Sequence, residues 1–391
     1  MKHVPMLDLK AEFALYKDQA RAAIDAVLES QHFIGGPEVE RFEKAIADRF
    51  GIPHAIAVSS GTDALLVGLM ALGIGPGDEV IVPAFTFFAT GGEVARLGAT
   101  PVFAEIDERT FNIDPADIER LVTGRTRAII PVHVYGQIAD MDAINTIAQR
   151  RRLMVIEDAA QAIGATAAGR YAGTFGDLAC LSFYPTKNLG GFGEGGMVLT
   201  RDGKLAELIK RLRNQGQSTR YLHDHVGGNF RLDALKAAVL TAKLEHVDEF
   251  NRRRRDVAAK YDTLLGDTVV ATPYVAPGHR PVYHQYSILA ERRDELAGHL
   301  RERGVDTAVH YPIPLHRQPC FAYLGYAPAS LPVSERISSQ VLSLPCHPML
   351  GDDEIEYVSR TIAGFYADRS ATAVAATATG RHQDAETCEP W

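Results

Sequence analysis

The chain has 391 residues, of which 46% are hydrophobic and 23% are charged, as expected of an ordinary globular protein that is long enough for two domains. Its formal net charge of −8 argues against a nucleic-acid partner, because no basic excess is available to neutralise phosphates. The four cysteines form no Cys-x-x-Cys pair, no apolar stretch reaches the length of a membrane span, and no secretory signal is recognisable. These features predict a cytoplasmic protein without a membrane segment.

The predicted elements of the first half alternate between helices and short β-rich runs. A helix is expected over residues 12–30, and from about residue 50 the apolar runs are almost continuous, as in a mostly parallel sheet that helices cover on both faces. This alternation predicts an α/β fold. The expected strands are His54–Ser59, Glu79–Pro83, Pro101–Ala104, Ala128–Val132, Leu153–Glu157, Ala179–Phe183 and Met197–Thr200, and the helices between them are Thr62–Leu72, Phe88–Leu97 and Asp140–Arg151.

After about residue 202 the pattern changes to longer helices and fewer strands, which predicts a smaller α+β domain. We expect a large domain over residues 35–248, a small domain over residues 249–367, and an N-terminal segment, residues 1–34, that packs with the small domain. Residues 368–391 contain few large apolar side chains and are predicted to be a disordered tail. The expected elements are helices at Lys204–Asn214, Leu232–Phe250 continuing through Arg252–Leu265, and Arg293–Arg303, with strands at Gln285–Ala290 and Asp306–His310.

The segment Val58-Ser59-Ser60-Gly61-Thr62 has the pattern of a strand, a tight turn and a helix start. Gly61 allows close approach of the backbone to an anion, and the first N–H groups of a helix have no internal acceptor. This pattern indicates a phosphate site. A plain helix start capped by Ser60 or Thr62 is the alternative.

Lys187 and Asp158 are the candidate catalytic pair. Lys187 lies between an apolar strand and a glycine-rich segment, and Asp158 follows the apolar run Leu153–Ile156, at the end of a strand where ligands of open α/β sheets bind. A lysine that forms a Schiff base and an acid that pairs with a pyridinium nitrogen are the groups that pyridoxal phosphate (PLP) chemistry needs. Burial is expected to lower the pKa of the lysine. The alternatives are a surface lysine and an aspartate that only caps a helix.

Six ordered motifs in residues 5–365 resemble one family, the PLP-dependent nucleotide-sugar aminotransferases of the DegT/DnrJ/StrS type. This resemblance implies the aspartate-aminotransferase architecture, PLP fold type I. The motifs are Ser-Gly-Thr-Asp-Ala at 60–64, Pro-Ala-Phe-Thr-Phe at 83–87, Glu-Asp-Ala-Ala-Gln at 157–161, Ser-Phe-Tyr-Pro-Thr-Lys-Asn at 182–188, Gly-Glu-Gly-Gly at 193–196 and Asn-Phe-Arg-Leu-Asp at 229–233.

The resemblance also implies roles for individual residues. Lys187 would form the Schiff base, Asp158 would pair with the pyridinium and Gln161 would contact the ring hydroxyl. Phe87 would stack on the pyridine ring, although core packing is an alternative role for it.

The phosphate contacts implied by the resemblance involve two subunits. Gly61, Thr62 and Ser182 would hold the phosphate of the chain's own cofactor, whereas Asn229 would reach the phosphate in the neighbouring subunit. A homodimer with shared active sites would then be the catalytic unit.

The substrates are the least specified part of the resemblance. Residues 307–314 and 343–348 are similar to members that act on UDP-linked 3-keto sugars, above all those that aminate UDP-2-acetamido-2-deoxy-3-oxo-glucuronate. Arg231, His310 and Tyr311 would face the nucleotide sugar or the carboxylate of the amino donor, with ordinary loop contacts as the alternative. The pair His223-x-His225 has no carboxylate companion, so no metal site is predicted.

The expected activity is transfer of an amino group from an amino acid, glutamate, to a UDP-3-keto-N-acetylhexosamine or its uronic acid, for surface polysaccharide or amino-sugar synthesis. Related dehydratases carry histidine in place of Lys187, so the lysine favours transamination. A dTDP-linked 3- or 4-keto-deoxysugar is the alternative substrate. A PLP-dependent dehydratase and a non-enzymatic sensor are the rival functions, and no basic recognition helix supports the sensor.

Overall fold

The computed structural model describes residues 3–266 and 268–380. The helices are α1 Leu9–Ala14, α2 Lys17–Ser30, α3 Pro37–Phe50, α4 Gly61–Ala71, α5 Phe88–Arg96, α6 Pro115–Leu121, α7 Met141–Arg151, α8 Gly203–Arg213, α9 Ala234–Leu244, α10 Val247–Leu265, α11 Arg293–Glu302, α12 Pro332–Gln340 and α13 Asp352–Gly380, with 3-10 turns at Val134–Gly136, Leu315–Arg317 and Pro319–Leu324. The strands are β1 His54–Val58, β2 Glu79–Pro83, β3 Thr100–Ala104, β4 Thr126–Ile129, β5 Met154–Asp158, β6 Thr166–Ala167, β7 Arg170–Tyr171, β8 Leu178–Ser182, β9 Gly196–Thr200, β10 Gln217–Thr219, β11 Leu222–His223, β12 His279–Arg280, β13 Tyr286–Leu289 and β14 Val341–Leu344.

A seven-stranded sheet in the order β1-β9-β8-β5-β4-β2-β3 forms the centre of the protein. Strand β9 is antiparallel to both of its neighbours, and the other adjacent pairs are parallel. The strands are nearly all buried because helices cover both faces, and each face has its own large apolar cluster. The predicted α/β fold with a mostly parallel sheet is confirmed, and every strand expected before residue 200 is present.

The sheet brings the predicted motifs to one edge. Strands β1, β5 and β8 run in the same direction, so the residues after Val58, Asp158 and Ser182 lie together at their carboxyl ends. Gly196 pairs with both Val58 and Ser182, and a Cβ on it would lie 2.1 Å from the carbonyl oxygen of Ser60. Glycine is therefore required where the Ser60 turn crosses β9.

Strands β13 and β14 form an antiparallel pair that packs with α10, α11 and α13 around a separate apolar core. The helix expected over residues 232–265 is two helices, because the chain breaks between Leu244 and Val247. The strand expected at Asp306–His310 is reduced to a single bridge between Ala308 and Ser343. Pro312 and Pro314 follow this segment and lack the N–H groups that longer pairing would need.

The N-terminal segment contacts both parts of the protein. Val4 pairs with Val305 and belongs to the apolar core around β13 and β14, whereas α2 lies on α9 with Val27 packed against Ala234 and Ala238. At the other end, α13 continues to Gly380 where a disordered tail was predicted from residue 368, since the alanine-rich sequence has high helix propensity. Residues 381–391 of that predicted tail lie outside the described residues. Within the described chain, none of the helices combines the length and the apolar character needed to cross a membrane.

Candidate active site

A cavity of about 560 Å³ opens at the carboxyl ends of β1, β5 and β8. All the predicted site residues line it except Asn229 and Arg231. Those that line it are Gly61, Thr62, Phe87, Asp158, Gln161, Ser182, Lys187, His310 and Tyr311. The fold therefore gathers residues that are up to 250 positions apart into one site.

Asp158 is the buried acid of the cavity, with 5% of its surface exposed. Its carboxylate accepts hydrogen bonds from the hydroxyl of Thr90 at 2.8 Å and from the N–H of Ala160 at 3.2 Å. Burial raises the pKa of Asp158, and these donors together with Lys187 and His133 oppose that rise. In the described chain, Asp158 is followed by a turn and then by β6, and no helix begins directly after it. The interpretation of Asp158 as a helix cap is therefore wrong.

Lys187 is the amine of the same cavity. Burial lowers the pKa of Lys187 to about 8, although Asp158 acts in the opposite direction. At that pKa roughly a tenth of the lysine is the free amine at pH 7, far more than for a surface lysine. The surface alternative is wrong, because Lys187 lines the cavity and is only partly accessible.

The loop around Lys187 is held by close backbone packing. The N–H of Lys187 donates to the carbonyl of Tyr184 at 2.8 Å, and the N–H of Gly191 donates to the carbonyl of Phe183 at 2.8 Å. A Cβ on Gly190 would lie 2.2 Å from the carbonyl oxygen of Pro185. The glycine-rich segment therefore folds against the Tyr184–Lys187 turn and holds the lysine at the cavity.

The phosphate end of the cavity is the start of α4. Ser60 is the N-cap, and its hydroxyl accepts from the N–H of Asp63 at 3.0 Å. The N–H groups of Gly61 and Thr62 have no acceptor inside the helix. A Cβ on Gly61 would lie 2.7 Å from the Cβ of Ser182, so the absence of a side chain brings the helix start against Ser182. The capping alternative is confirmed, and it does not exclude an anion site, because two N–H groups stay available while Ser60 caps the helix.

Gln161 and Tyr311 form a hydrogen-bonded pair above Asp158. The side-chain oxygen of Gln161 accepts from the N–H of Tyr135, and its nitrogen donates to the hydroxyl of Tyr311, both at 2.7 Å. Burial raises the pKa of Tyr311, so this phenol stays protonated. Phe87 lies near Tyr311 with 56% of its surface exposed, which leaves an aromatic face open to the cavity.

His310 is held at the cavity wall by the hydroxyl of Ser343, 3.0 Å from its Nδ1. Burial, followed by the charge of Lys187, lowers the pKa of His310 to about 4. The imidazole is therefore neutral at pH 7 and contributes polarity without charge.

The structure also reveals functional neighbours that the sequence motifs did not indicate. Thr90, fully buried, donates to Asp158, and its Oγ1 lies 3.1 Å from Oγ1 of Thr86, which precedes α5. The four-residue spacing of these threonines was the available signal. Tyr184, Glu194, His284 and Gln285 also line the cavity.

Glu157, beside Asp158 on β5, is fully buried and does not line the cavity. Its oxygens accept from the N–H groups of Gly173, Phe175 and Gly176 at 2.6–2.7 Å and lie 2.8 Å from Nε2 of His133. This carboxylate anchors the chain segment behind the cavity.

Asn229 and Arg231 lie outside the cavity of their own chain. Asn229 is exposed and bridges Asn214, and Arg231 bridges Val58 on the outer edge of β1. Arg231 lines a separate pocket of about 370 Å³ and donates to the side chain of Asn214 at 2.6 Å, while its buried Nε has no acceptor among the described residues. The expectation that Arg231 faces the substrate is therefore not met within a single chain, because its segment pairs on the far side of β1.

The His, Cys, Asp and Glu side chains are not arranged to bind a metal ion in the described part of the chain. Within residues 3–266 and 268–380, no group of three or more His, Cys, Asp or Glu side chains is placed to bind one.

The cavity fits PLP. It provides free N–H groups at a helix start for a phosphate, an open aromatic face for a ring, a buried carboxylate for a ring nitrogen and a lysine with a lowered pKa for an aldehyde. Each group lies on an element whose position is set by the sheet or by close glycine packing.

Comparison with known proteins supports the same conclusion. Residues 15–363 match the DegT/DnrJ/EryC1/StrS aminotransferase family. A pleiotropic regulatory protein of Geobacillus stearothermophilus is 49% identical over 93% of this chain and 99% of its own. UDP-2-acetamido-2-deoxy-3-oxo-D-glucuronate aminotransferase of Pseudomonas aeruginosa is 46% identical over 91% and 98%, respectively. dTDP-3-amino-3,4,6-trideoxy-alpha-D-glucose transaminase of Streptomyces venezuelae is 48% identical over 89% and 92%.

Solved structures show the same fold. The crystal structure of S. venezuelae DesV in complex with a ketimine intermediate superposes with a TM-score of 0.91 at 45% identity, covering 93% of this chain and 99% of that one. NtdA from Bacillus subtilis with bound cofactor PMP, the amine form, has a TM-score of 0.87 at 33% identity and covers 93% and 86%. The chain described here thus belongs to the DegT/DnrJ/EryC1/StrS aminotransferase family, and it is a PLP-dependent sugar aminotransferase with the fold of those enzymes.

Proposed function

We propose that this enzyme transfers the amino group of L-glutamate to the keto group of a UDP-3-keto-N-acetylhexosamine or its uronic acid. The observation that carries the proposal is the pairing of Lys187 and Asp158 across one cavity, with the pKa of the lysine lowered to about 8. The UDP-linked substrate is favoured by the Pseudomonas aeruginosa relative, whose name specifies a UDP-linked 3-oxo sugar. The product would enter amino-sugar or surface polysaccharide synthesis in the cytoplasm.

In this proposal Lys187 is the group that moves a proton. Burial favours its free amine, which is both a nucleophile and a base. The cofactor supplies an electron sink for the pair of electrons that is left when the proton departs. Asp158 keeps the ring nitrogen protonated, and Thr90 orients its carboxylate. Lys187 would take the proton from the α-carbon of the donor in the first half-reaction, and in the second it would deliver a proton to the sugar carbon that receives the amino group.

The remaining side chains position the reactants. The N–H groups of Gly61 and Thr62 and the hydroxyl of Ser182 would hold the cofactor phosphate, and Phe87 would cover the ring and exclude water from it. Tyr311 stays protonated, so its hydroxyl can donate a hydrogen bond to a bound reactant.

We further propose a homodimer in which Asn229 and Arg231 of each subunit complete the site of the other. Large apolar side chains near these residues are exposed in the single chain: Ile34 by 62%, Tyr221 by 81% and Val226 by 90%. Burial of such a surface against a second copy is favourable, and the unpaired Nε of Arg231 would find an anionic acceptor there. The proposed domain boundary after residue 248 falls at the start of α10.

Three other functions are distinguishable from this one. A dTDP-linked 3- or 4-keto-deoxysugar is the second candidate substrate, as in the S. venezuelae transaminase. A dehydratase would release deoxygenated product without consuming stoichiometric glutamate. A regulator, the role named for the G. stearothermophilus relative, would not turn over. Formation of 2-oxoglutarate with a panel of UDP- and dTDP-linked 3- and 4-keto sugars separates all of them.

The decisive variant is Lys187→Ala, with Lys44→Ala on the exposed face of α3 as the matched control. Lys187→Ala should lose the visible absorbance of the bound cofactor and at least about 1,000-fold in turnover, since both nucleophile and base are removed. Lys44→Ala should behave as the unmodified enzyme, because Lys44 is largely exposed. Full multiple-turnover transamination by Lys187→Ala would refute the proposed function.

A further inference from the structure

His284 lines the active-site cavity, but the proposed reaction assigns it neither a catalytic nor a binding role. It precedes β13, and 8% of its surface is exposed. Its Nδ1 lies 3.2 Å from the side-chain oxygen of Asn188, the residue that directly follows Lys187. The ring is therefore tied to the loop that carries the catalytic lysine.

Two backbone carbonyls determine which ring nitrogen of His284 carries the proton. The side-chain nitrogen of Asn188 donates to the carbonyl of Val282 at 3.1 Å and to the side-chain oxygen of Asn251 at 2.7 Å. Asn251 is oriented in turn, because its own nitrogen donates to the carbonyl of Ile163 at 2.9 Å. Since a backbone carbonyl only accepts, neither amide can be reversed.

The amide oxygen of Asn188 consequently faces His284, and an amide oxygen only accepts. The proton of the imidazole must lie on Nδ1. Burial lowers the pKa of His284 far below its usual value, and Lys187, Arg254 and His310 lower it further. The ring is neutral at pH 7, and its Nε2 carries a lone pair.

Gln285, the next residue, is a further polar residue of this wall. It lines the same cavity, and its side-chain oxygen is buried with no donor in the described part of the chain. The lone pair on Nε2 of His284 repels phosphate and carboxylate groups and attracts ligand groups that carry hydrogen.

We propose that His284 is a substrate-binding residue whose Nε2 accepts a hydrogen bond from a hydroxyl or amide N–H of the sugar. This inference rests on the proposed function and adds a requirement to it: the sugar ring presents a hydrogen-bond donor to the 284–285 wall, and the anionic groups of both substrates bind elsewhere. The sugar is the fitting ligand because it carries several O–H groups, whereas the only donor of glutamate is the amine that reacts.

The kinetic test compares His284→Phe, which has no acceptor, with His284→Gln, which retains one. His284→Phe should raise the KM for the keto sugar about 10-fold, with kcat changed less than about threefold, and His284→Gln should restore most of that loss. The single-turnover reaction of the holoenzyme with glutamate should slow much less than the reaction with the sugar. A KM within twofold of the unmodified enzyme in His284→Phe, or equal slowing of both half-reactions, would overturn the proposal.

A spectroscopic readout tests the tautomer independently of turnover. In holoenzyme labelled with ¹⁵N-histidine, the resonances lost in His284→Gln should show a protonated Nδ1 and an unprotonated Nε2 throughout pH 6–8. A protonated Nε2 would overturn the proposal even if either variant failed to bind cofactor. Failure of the proposed function would instead appear as absent 2-oxoglutarate formation by the unmodified enzyme, with the tautomer unchanged.

Discussion

Glu157 and Asp158 are adjacent acids on β5, both almost completely buried, yet their surroundings differ. Glu157 is surrounded by three backbone donors and His133, so its oxygens are saturated. Asp158 has two donors, Thr90 and Ala160, and its remaining capacity faces the cavity. Because successive side chains of a strand point to opposite faces, one acid stabilises the fold and the other is available for chemistry.

The largest effect expected from this comparison is that of Asp158→Asn. An amide cannot supply the negative charge that keeps the ring nitrogen protonated, so turnover should fall by about 1,000-fold while the free energy of unfolding changes little. Steady-state 2-oxoglutarate formation and urea denaturation measure the two quantities. A variant that retained more than about a tenth of the activity would remove Asp158 from the reaction.

Glu157→Gln is expected to lower the stability of the protein, whereas Asp158→Asn mainly lowers its turnover. The glutamine nitrogen would face backbone N–H groups that now donate to a carboxylate, which should cost about 2–4 kcal/mol of unfolding free energy. Glu40→Gln on the exposed face of α3 is the control and should change stability by less than about 0.5 kcal/mol. If Glu157→Gln unfolded at the same urea concentration as the unmodified enzyme, the anchoring role would be wrong.

The smallest effect is expected for Thr90→Val, which removes one donor from Asp158 and keeps the shape of the side chain. The hydroxyl of Thr90 lowers the pKa of Asp158, so its loss should raise that pKa. Activity depends on the ionised acid, so the decline of kcat/KM on acidification should begin at higher pH, with about a threefold loss near neutrality. Thr90→Ser retains the donor and should restore the profile. An unchanged acidic limb in Thr90→Val would show that the hydroxyl does not act on Asp158.

The single helix expected over residues 232–265 shows where a local sequence pattern fails to predict the tertiary structure. Its apolar periodicity continues across Glu245 and His246, so a single helix was expected, but the chain turns there into α10. Similarly, a strand was expected at residues 306–310, and within that range only Ala308 has a pairing partner. Periodicity predicts which face of an element is apolar. It does not predict where a helix ends or whether a second strand is available for pairing.

For the site, the motifs were sufficient to predict most of the residues that line the cavity. Lys187, Asp158 and the Ser60–Thr62 turn each follow an apolar strand, and the ends of parallel strands must meet at one edge of a sheet. Thr90 and His284 could not be found in that way, since their roles arise only from contacts with residues 68 and 96 positions away.

The order of apolar runs and motifs therefore determined the α/β architecture, the cofactor and the proposed catalytic pair, because these depend on residue type and on position along a strand. The tertiary structure alone decided that Thr90 donates to Asp158, which ring nitrogen of His284 carries the proton, and that Arg231 lies outside its own cavity. Each of these depends on which donors and acceptors meet across the fold, and hydrogen bonds over such separations leave no periodic trace in the chain.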